Sequence, residues 1–70
     1  MILPEQRRKA LLLRIAMRAE ELARAHVDLA STYTDEENDG LTLMERSEIL
    51  NTYAQSMREC ALTGVFDPRA

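Results

Sequence analysis

Few residues in this 70-residue chain have types and spacing suited to chemistry, and the most suggestive lie in one acidic stretch. Four of them match the first half of a calcium-binding EF-hand loop: Asp35, Glu37, Asp39 and Gly40. The match fails further on, where Thr42 replaces an apolar residue and Arg46 replaces the bidentate carboxylate. A cation at that last position would oppose calcium, so we expect a solvated acidic turn and no metal.

The single histidine and the single cysteine are the other reactive candidates. His26 falls on an apolar helical stripe, where it is either a packed residue bonded to a neighbouring carbonyl or carboxylate, or a pH switch across a dimer axis. Cys60 has only Arg58 as a basic neighbour in sequence, so we expect a buried, unreactive thiol. The chain shows no nucleophile–base order and no phosphate-binding glycine loop. We therefore expect no enzyme and no cofactor.

A basic ridge is the next candidate site. Arg7, Arg14 and Arg18 align on one side of a helix, and doubled by a dimer they could contact phosphates. However, the chain carries a net charge of -3, no aromatic residue interleaves the ridge, and Glu21 closes it. A solvated face is the favoured interpretation, with nucleic-acid binding as the alternative.

The elements that position these residues are two helices. Apolar or weakly polar residues recur at alternating spacings of three and four, which is a heptad seam: Leu12, Ile15, Ala19, Leu22, His26, Leu29 and Tyr33. We predict helix 1 over about residues 4–31, an acidic loop over about 32–41, helix 2 over about 42–63 and a short tail over 64–70. Thr34 with Glu37, and Thr42 with Glu45, have the spacing of capping boxes, and Gly64 suits a helix stop.

A chain this short builds only a marginal core unless metal, disulfides or oligomerisation helps. One cysteine and one histidine supply neither a disulfide nor a zinc site within one chain, so oligomerisation remains. The predicted fold is a single all-α domain over residues 1–70, an antiparallel helical hairpin that forms a homodimeric four-helix bundle. The expected dimer and core residues are Leu12, Ile15, Ala19, Leu22, His26, Leu29, Leu50, Tyr53 and Met57.

Charge divides the chain into two halves. Residues 1–30 carry six Arg or Lys and four Asp or Glu, whereas residues 31–70 carry three and eight. We expect two elements of opposite sign side by side. No stretch approaches the roughly 18 apolar residues of a membrane span, the N-terminus lacks the pattern of a secretory signal, and the cysteine is single. These features predict a cytoplasmic protein without membrane contact.

Apolar residues beside arginines are typical of protein-binding patches. Leu13 and Met17 lie at the edge of the apolar arc of helix 1, and either a partner protein or the second protomer covers them. The expected partner-binding residues are Leu13, Arg14, Met17, Arg18 and Tyr33.

The run Met57-Arg58-Glu59-Cys60-Ala61-Leu62, followed by a tail with Gly, Phe and Asp, resembles the C-terminal run of the small plasmid-encoded Rop-type hairpins. The likeness covers about a dozen residues together with the layout of two helices, an acidic turn and one cysteine. It implies a dimeric bundle and RNA binding, although Arg14, Met17 and Arg18 replace the aromatic and amide positions of that family's RNA-binding face. The outline is also similar to small phage and plasmid antiactivators, which dimerise and sequester a host regulator.

Together these features predict a non-enzymatic homodimer that binds another protein, such as a host regulator, and modulates or inhibits it. Rop-like RNA binding through the ridge and a structural role in a larger assembly are the alternatives.

Overall fold

The computed structural model describes residues 3–34 and 36–66, which form two α-helices packed against each other as a hairpin. Helix α1 spans Pro4–Ala30 and helix α2 spans Asp39–Thr63. The predicted all-helical hairpin is therefore confirmed.

Helix α1 begins with a proline, whose missing N–H is not needed in the first turn. The backbone N–H of Leu3 donates to Oε1 of Gln6 at 3.4 Å, so a side chain closes the N-terminal end. At the other end the N–H of Ser31 donates to the Val27 carbonyl at 3.0 Å, and the Thr32 hydroxyl donates to the Leu29 carbonyl at 2.7 Å. These bonds satisfy carbonyls that the last helical turn would otherwise leave without partners.

Helix α2 begins three residues before the predicted start at Thr42. The Thr42 hydroxyl donates to the Asn38 carbonyl at 3.4 Å inside the first turn, instead of capping the helix. The other predicted capping box forms only in half: the N–H of Thr34 donates to Oε1 of Glu37, but the N–H of Glu37 donates to the Thr34 carbonyl and not to its side chain. Spacing alone identifies both threonine–glutamate pairs, but the chain reverses at the first of them and is already helical at the second.

Gly64 ends α2 in the left-handed conformation, with φ of 77°, and its N–H donates to the Cys60 carbonyl at 2.9 Å. Glycine adopts this conformation without the steric cost that a Cβ brings. The predicted C-terminal stop is confirmed.

The contact between the helices is made by small residues at seven-residue spacing. On α1 the series is Ala16, Ala23 and Ala30, and on α2 it is Gly40, Ser47, Ala54 and Ala61. Ala16 and Ala54 have no exposed surface, and a Cβ built on Gly40 would lie 3.5 Å from the Ala30 carbonyl oxygen. Small side chains allow the two backbones to approach closely, and we call these seven residues the small-residue line.

Most of the large apolar side chains consequently lie outside the contact. The hydrophobic residues that are buried among those described are mostly alanines, joined by Met57 and Cys60, and no large side chain is fully buried. The hairpin measures 53 × 24 × 12 Å, and its smallest dimension is about the diameter of one helix. The protein is therefore a plate one helix thick with two broad faces.

Within the described residues, neither helix has the combination of length and apolar character that crossing a bilayer requires.

Candidate protein-binding surfaces

Helical periodicity assigns the exposed apolar side chains to the two broad faces of the plate. Face A carries residues from both helices: Leu11, Ile15, Leu22, His26, Leu29, Ile49 and Tyr53. Face B, on the opposite side, carries Leu13, Met17, Glu20, Arg58 and Leu62. The small-residue line separates the two faces.

Face A is a largely apolar surface with shallow grooves along its length, and Arg8 and Arg46 border two of these grooves. Leu22 and Tyr53 are 50% and 47% exposed, and together with Ile15 and Leu50 they line a groove that is almost wholly apolar. A second groove, between Leu22 and Ile49, continues toward the loop end. Phe66 extends the surface past the end of α2, where it lines a groove with Leu11 and Ile15. Exposed apolar surface that spans both helices in this way is typical of an interface.

Face B is interrupted by charge. Leu13 and Met17, which are 42% and 51% exposed, form an apolar patch one helical turn apart. Next to this patch Arg58 of α2 donates a hydrogen bond to the Glu20 carboxylate of α1 and forms an ion pair with it across the helices. Face B therefore combines a compact apolar patch with a polar centre.

The Glu20–Arg58 contact changes the acidity of both groups. The hydrogen bond from Arg58 lowers the pKa of the Glu20 carboxyl below its ordinary value, and the same bond raises the pKa of the Arg58 guanidinium. Both side chains are partly solvated, so the pair orients the helices more than it stabilises them.

The two long edges of the plate carry opposite charge. The arginine edge is the side of α1 turned away from α2, with Arg7, Arg14 and Arg18, and the glutamate edge is the corresponding side of α2, with Glu45, Glu48 and Glu59. Arg14 and Arg18 also line the central groove of face A, and Arg18 forms a 3.2 Å ion pair with Glu21. The side-by-side arrangement of opposite charges expected from the sequence is present as these two edges.

The structure divides the predicted partner-binding residues among three places. Leu13 and Met17 are together on face B, whereas Arg14 and Arg18 border face A along the arginine edge. Tyr33 is half-buried beyond the end of α1, where it lines a cavity with Val27, Leu41 and Met44. A helical rise of ~20 Å separates Met17 from Ala30, so Tyr33 does not belong to the same patch.

The predicted dimer and core residues also separate. Ala19 and Met57 are buried in the hairpin, and Leu12 packs against them. Four residues of the set are exposed at the surface of the hairpin and do not form its core: Ile15, Leu22, Leu29 and Tyr53. His26 and Leu50 are half-buried beside face A. Alanines occupy most of the contact between the two helices of one chain, and the larger seam residues line face A.

His26 and Cys60 have the local environments expected of packed residues. Nδ1 of His26 lies 2.7 Å from the Leu22 carbonyl oxygen. A carbonyl only accepts, so Nδ1 donates in this contact, and Nε2 is the ring nitrogen left for another partner. Cys60 is buried in the cluster with Ala16, Ala54 and Met57.

The acidic turn brings together no set of ligands among the residues that the structure describes. Asp35, the first residue of the EF-hand-like stretch, lies outside these residues, and Asp39 and Gly40 belong to the first turn of α2. Over residues 3–34 and 36–66, no three carboxylate, imidazole or thiol groups are close enough to hold a metal ion.

Sequence reasoning missed Ser47, which is 3% exposed, and the Glu20–Arg58 pair. Ser47 could have been found from the seven-residue spacing that it shares with Gly40, Ala54 and Ala61. The ion pair had no local signal, because its residues are 38 positions apart and meet only once the helices are paired.

No protein-family model, curated protein or solved structure matches this chain. The resemblance to Rop-type hairpins therefore stays a prediction.

Proposed function

We propose that the protein is a non-enzymatic homodimer that binds another protein and modulates it, most simply by inhibiting it. One observation carries this proposal: a plate one helix thick exposes large apolar side chains on both broad faces. A second copy can cover only one of them in a two-fold dimer, because a two-fold interface uses the same patch on both subunits.

Face A is the proposed dimer face. It is the longer and more continuous apolar surface, and it contains the larger seam residues, such as Leu22 and Tyr53. Stacking two plates through face A would produce a four-helix bundle whose core holds these side chains. It would also supply the buried apolar area that the alanine contact of one hairpin lacks.

Face B is the proposed partner surface. In the dimer it stays outward, with Leu13 and Met17 beside the Glu20–Arg58 pair. Methionine adapts to irregular pockets, and arginine is enriched among residues that dominate binding energy. The compact patch and its polar border have the anatomy of a small protein-binding site. A host regulatory protein of a phage- or plasmid-type system remains the proposed kind of partner.

Nucleic acid is the alternative partner, through the arginine edge. Ion pairing of Arg18 with Glu21 and of Arg24 with Asp28 reduces the positive charge that α1 presents to phosphates. We expect no RNA or DNA affinity beyond the non-specific range of about 10⁻⁴–10⁻⁶ M at physiological salt. Tight, salt-sensitive retention of RNA in a gel shift would replace the protein-binding proposal.

The test uses the unmodified protein and two variants as bait in a bacterial lysate. Mass spectrometry identifies the proteins that each bait retains, and the affinity of each bait for the retained partner is then measured. Leu13→Ser with Met17→Ser should leave helicity and dimerisation unchanged and weaken partner binding at least tenfold, about 1.4 kcal/mol. Both side chains are exposed in the hairpin, so their loss does not open its core.

The matched control is Glu36→Ser, an exposed residue of the turn away from face B and from both charged edges, which should alter neither dimerisation nor binding. Loss of the dimer in the Leu13/Met17 variant would instead make face B the dimer face and overturn the site assignment. A partner retained equally by both variants would place its binding site elsewhere.

A further inference from the structure

We infer that two copies stack through face A with α1 of each protomer lying over α2 of the other, so that the arginine edge of one faces the glutamate edge of its mate. This inference rests on the proposed homodimer and adds which helices meet in it. The second copy is the occupant of face A.

The available area suits a second copy. The plate is 24 Å wide, and the 25 residues of α2 extend over ~37 Å at 1.5 Å per residue. Face A therefore offers about 900 Å², which is comparable with the ~800 Å² that each partner contributes to a standard stable interface. A second hairpin of the same dimensions covers this face from end to end.

Two arrangements with two-fold symmetry bury the same apolar face. A symmetry axis parallel to the helices places α1 over α2 of the mate, which we call the crossed arrangement. An axis across the helices places α1 over α1 and α2 over α2, which we call the like-on-like arrangement. Neighbouring helices run antiparallel in both, so neither burial nor helix dipoles choose between them.

The charged edges distinguish the crossed arrangement from the like-on-like arrangement. In the like-on-like arrangement, the arginine edges of the two copies lie against each other near the middle of α1, and the two glutamate edges meet in the same way. In the crossed arrangement each arginine edge meets a glutamate edge. Like charges across an interface cost free energy and opposite charges fix its orientation, so charge complementarity favours the crossed arrangement.

The register of the hairpin says which residues meet. Grooves that span both helices show which residues of α1 and α2 are level, meaning at the same height along the helix axes: residues near Ile15 with Tyr53, and His26 with Arg46. A two-fold axis parallel to the helices leaves the height of every residue unchanged. Arg14 of one copy therefore lies near Glu59 of the other. Arg14 already borders the central groove of face A, so its guanidinium is at the rim of the interface.

A second contact fits the same arrangement at the loop end. Nδ1 of His26 donates to the Leu22 carbonyl, so Nε2 is the ring nitrogen left for another partner. His26 and Arg46 line one groove of face A, and in the crossed dimer His26 of one copy is also level with Arg46 of the second copy. The crossed arrangement therefore places a polar side chain of the second copy beside the half-buried His26.

The experiment measures dimer dissociation constants by sedimentation at low ionic strength for three chains. Arg14→Glu with Arg18→Glu should weaken the crossed dimer by roughly tenfold or more, because several attractive contacts at the rim turn repulsive. The defect should shrink at high salt, since salt screens charges at the rim. In the like-on-like dimer this variant merely replaces one like-charge pair by another.

The decisive chain adds Glu48→Lys and Glu59→Lys to the first two changes. In the crossed dimer all four reversals restore opposite charges, so affinity should return to within about threefold of the original. In the like-on-like dimer the four changes only exchange the signs of the repelling edges. A double variant that is as tight as the unmodified protein, or a fourfold variant that is not rescued, would overturn the crossed arrangement.

Cross-linking gives a second measurement. With Cys60→Ser, a single Arg18→Cys should not form a disulfide dimer in the crossed arrangement, where the two α1 helices are diagonal, whereas Arg18→Cys combined with Thr52→Cys should. The opposite pattern supports like-on-like stacking. A monomeric unmodified protein at ~100 μM, well above micromolar dissociation constants, would instead reject the proposed dimer itself and so is distinguishable from a wrong arrangement.

Discussion

Leu22 and Met17 are both large, apolar and half exposed, they lie on the same helix, and the hairpin places them on opposite faces. The difference is in their surroundings. Leu22 is part of an apolar surface formed by both helices, whereas Met17 lies in a small patch that ends at the Glu20–Arg58 pair. The exposed fraction of a side chain therefore does not distinguish a dimer face from a partner site. The extent and the charge of the surrounding surface distinguish them.

The largest expected effect comes from placing a carboxylate on face A. Leu22→Glu should abolish the dimer, because burying an unpaired carboxylate costs several kcal/mol and the dimer contains two copies. Since the remaining hairpin has a core made mostly of alanines, we expect it to lose helicity on dissociation. Sedimentation and circular dichroism measure the two effects.

Met17→Glu is the matched control for Leu22→Glu, because the two residues are equally exposed in one hairpin. It should leave both the dimer and the helicity intact. If Met17→Glu dissociates the protein and Leu22→Glu does not, the assignments of face A and face B are reversed.

A smaller effect is expected from enlarging a side chain in the small-residue line, where the two helices are in contact. Ala54→Leu introduces a larger side chain at a position with no exposed surface, between helices held at close approach. Overpacking of this kind costs about 1–3 kcal/mol, which urea unfolding of the dimer would measure. Gln55→Leu, an exposed neighbour in the same helix, should be close to neutral. Equal stability of the two variants would mean that the helices are not in close contact at Ala54.

The smallest effect concerns the polar centre of face B. Because Arg58 lowers the pKa of Glu20 in the folded protein, their interaction stabilises the fold above the ordinary carboxyl value of 4.5 and is lost as pH falls through the lowered pKa. Glu20→Gln should therefore slightly lower the thermal midpoint at pH 7, and the difference should shrink as pH falls below 4.5 and vanish once the carboxyl is protonated in both states. A difference that persists at low pH would mean that Glu20 acts through packing and not through its charge.

Local pattern in the sequence was sufficient for the helices and for most of their ends. Gly64 was identified as the stop of α2 because a left-handed residue is needed there, and Thr34 with Glu37 forms one half of the predicted capping box. The predicted start of α2 at Thr42 was wrong, because a threonine followed three residues later by a glutamate also occurs inside the first turn of a helix, and the sequence spacing does not distinguish the two positions. At the start of α2, Gly40 approaches the Ala30 carbonyl of α1, and this contact between the helices has no signal in the local sequence.

The candidate site was predicted less completely, since residues were grouped by their distance along one helix. Leu13 and Met17 do lie together, but Arg14 and Arg18 border the opposite face, and Tyr33 is at the far end of the plate. Which face of the hairpin a side chain of α1 lies on depends on which side of α1 packs against α2. The sequence did not show which side that is.

The sequence by itself determined two amphipathic helices, the turn between them and the separation of charge into a basic and an acidic half, because all of these follow from periodicity and composition within one segment. Only the tertiary structure decided which stripe of the broad apolar arc of α1 meets α2. Two stripes were available, a heptad of large residues through Leu22 and a heptad of alanines through Ala23, and periodicity does not rank them. The alanine stripe makes the contact because small residues recur at the same spacing on α2 and allow close approach of the two backbones, and this match exists only between paired helices. The larger side chains are displaced onto the faces, where they are available to a second molecule.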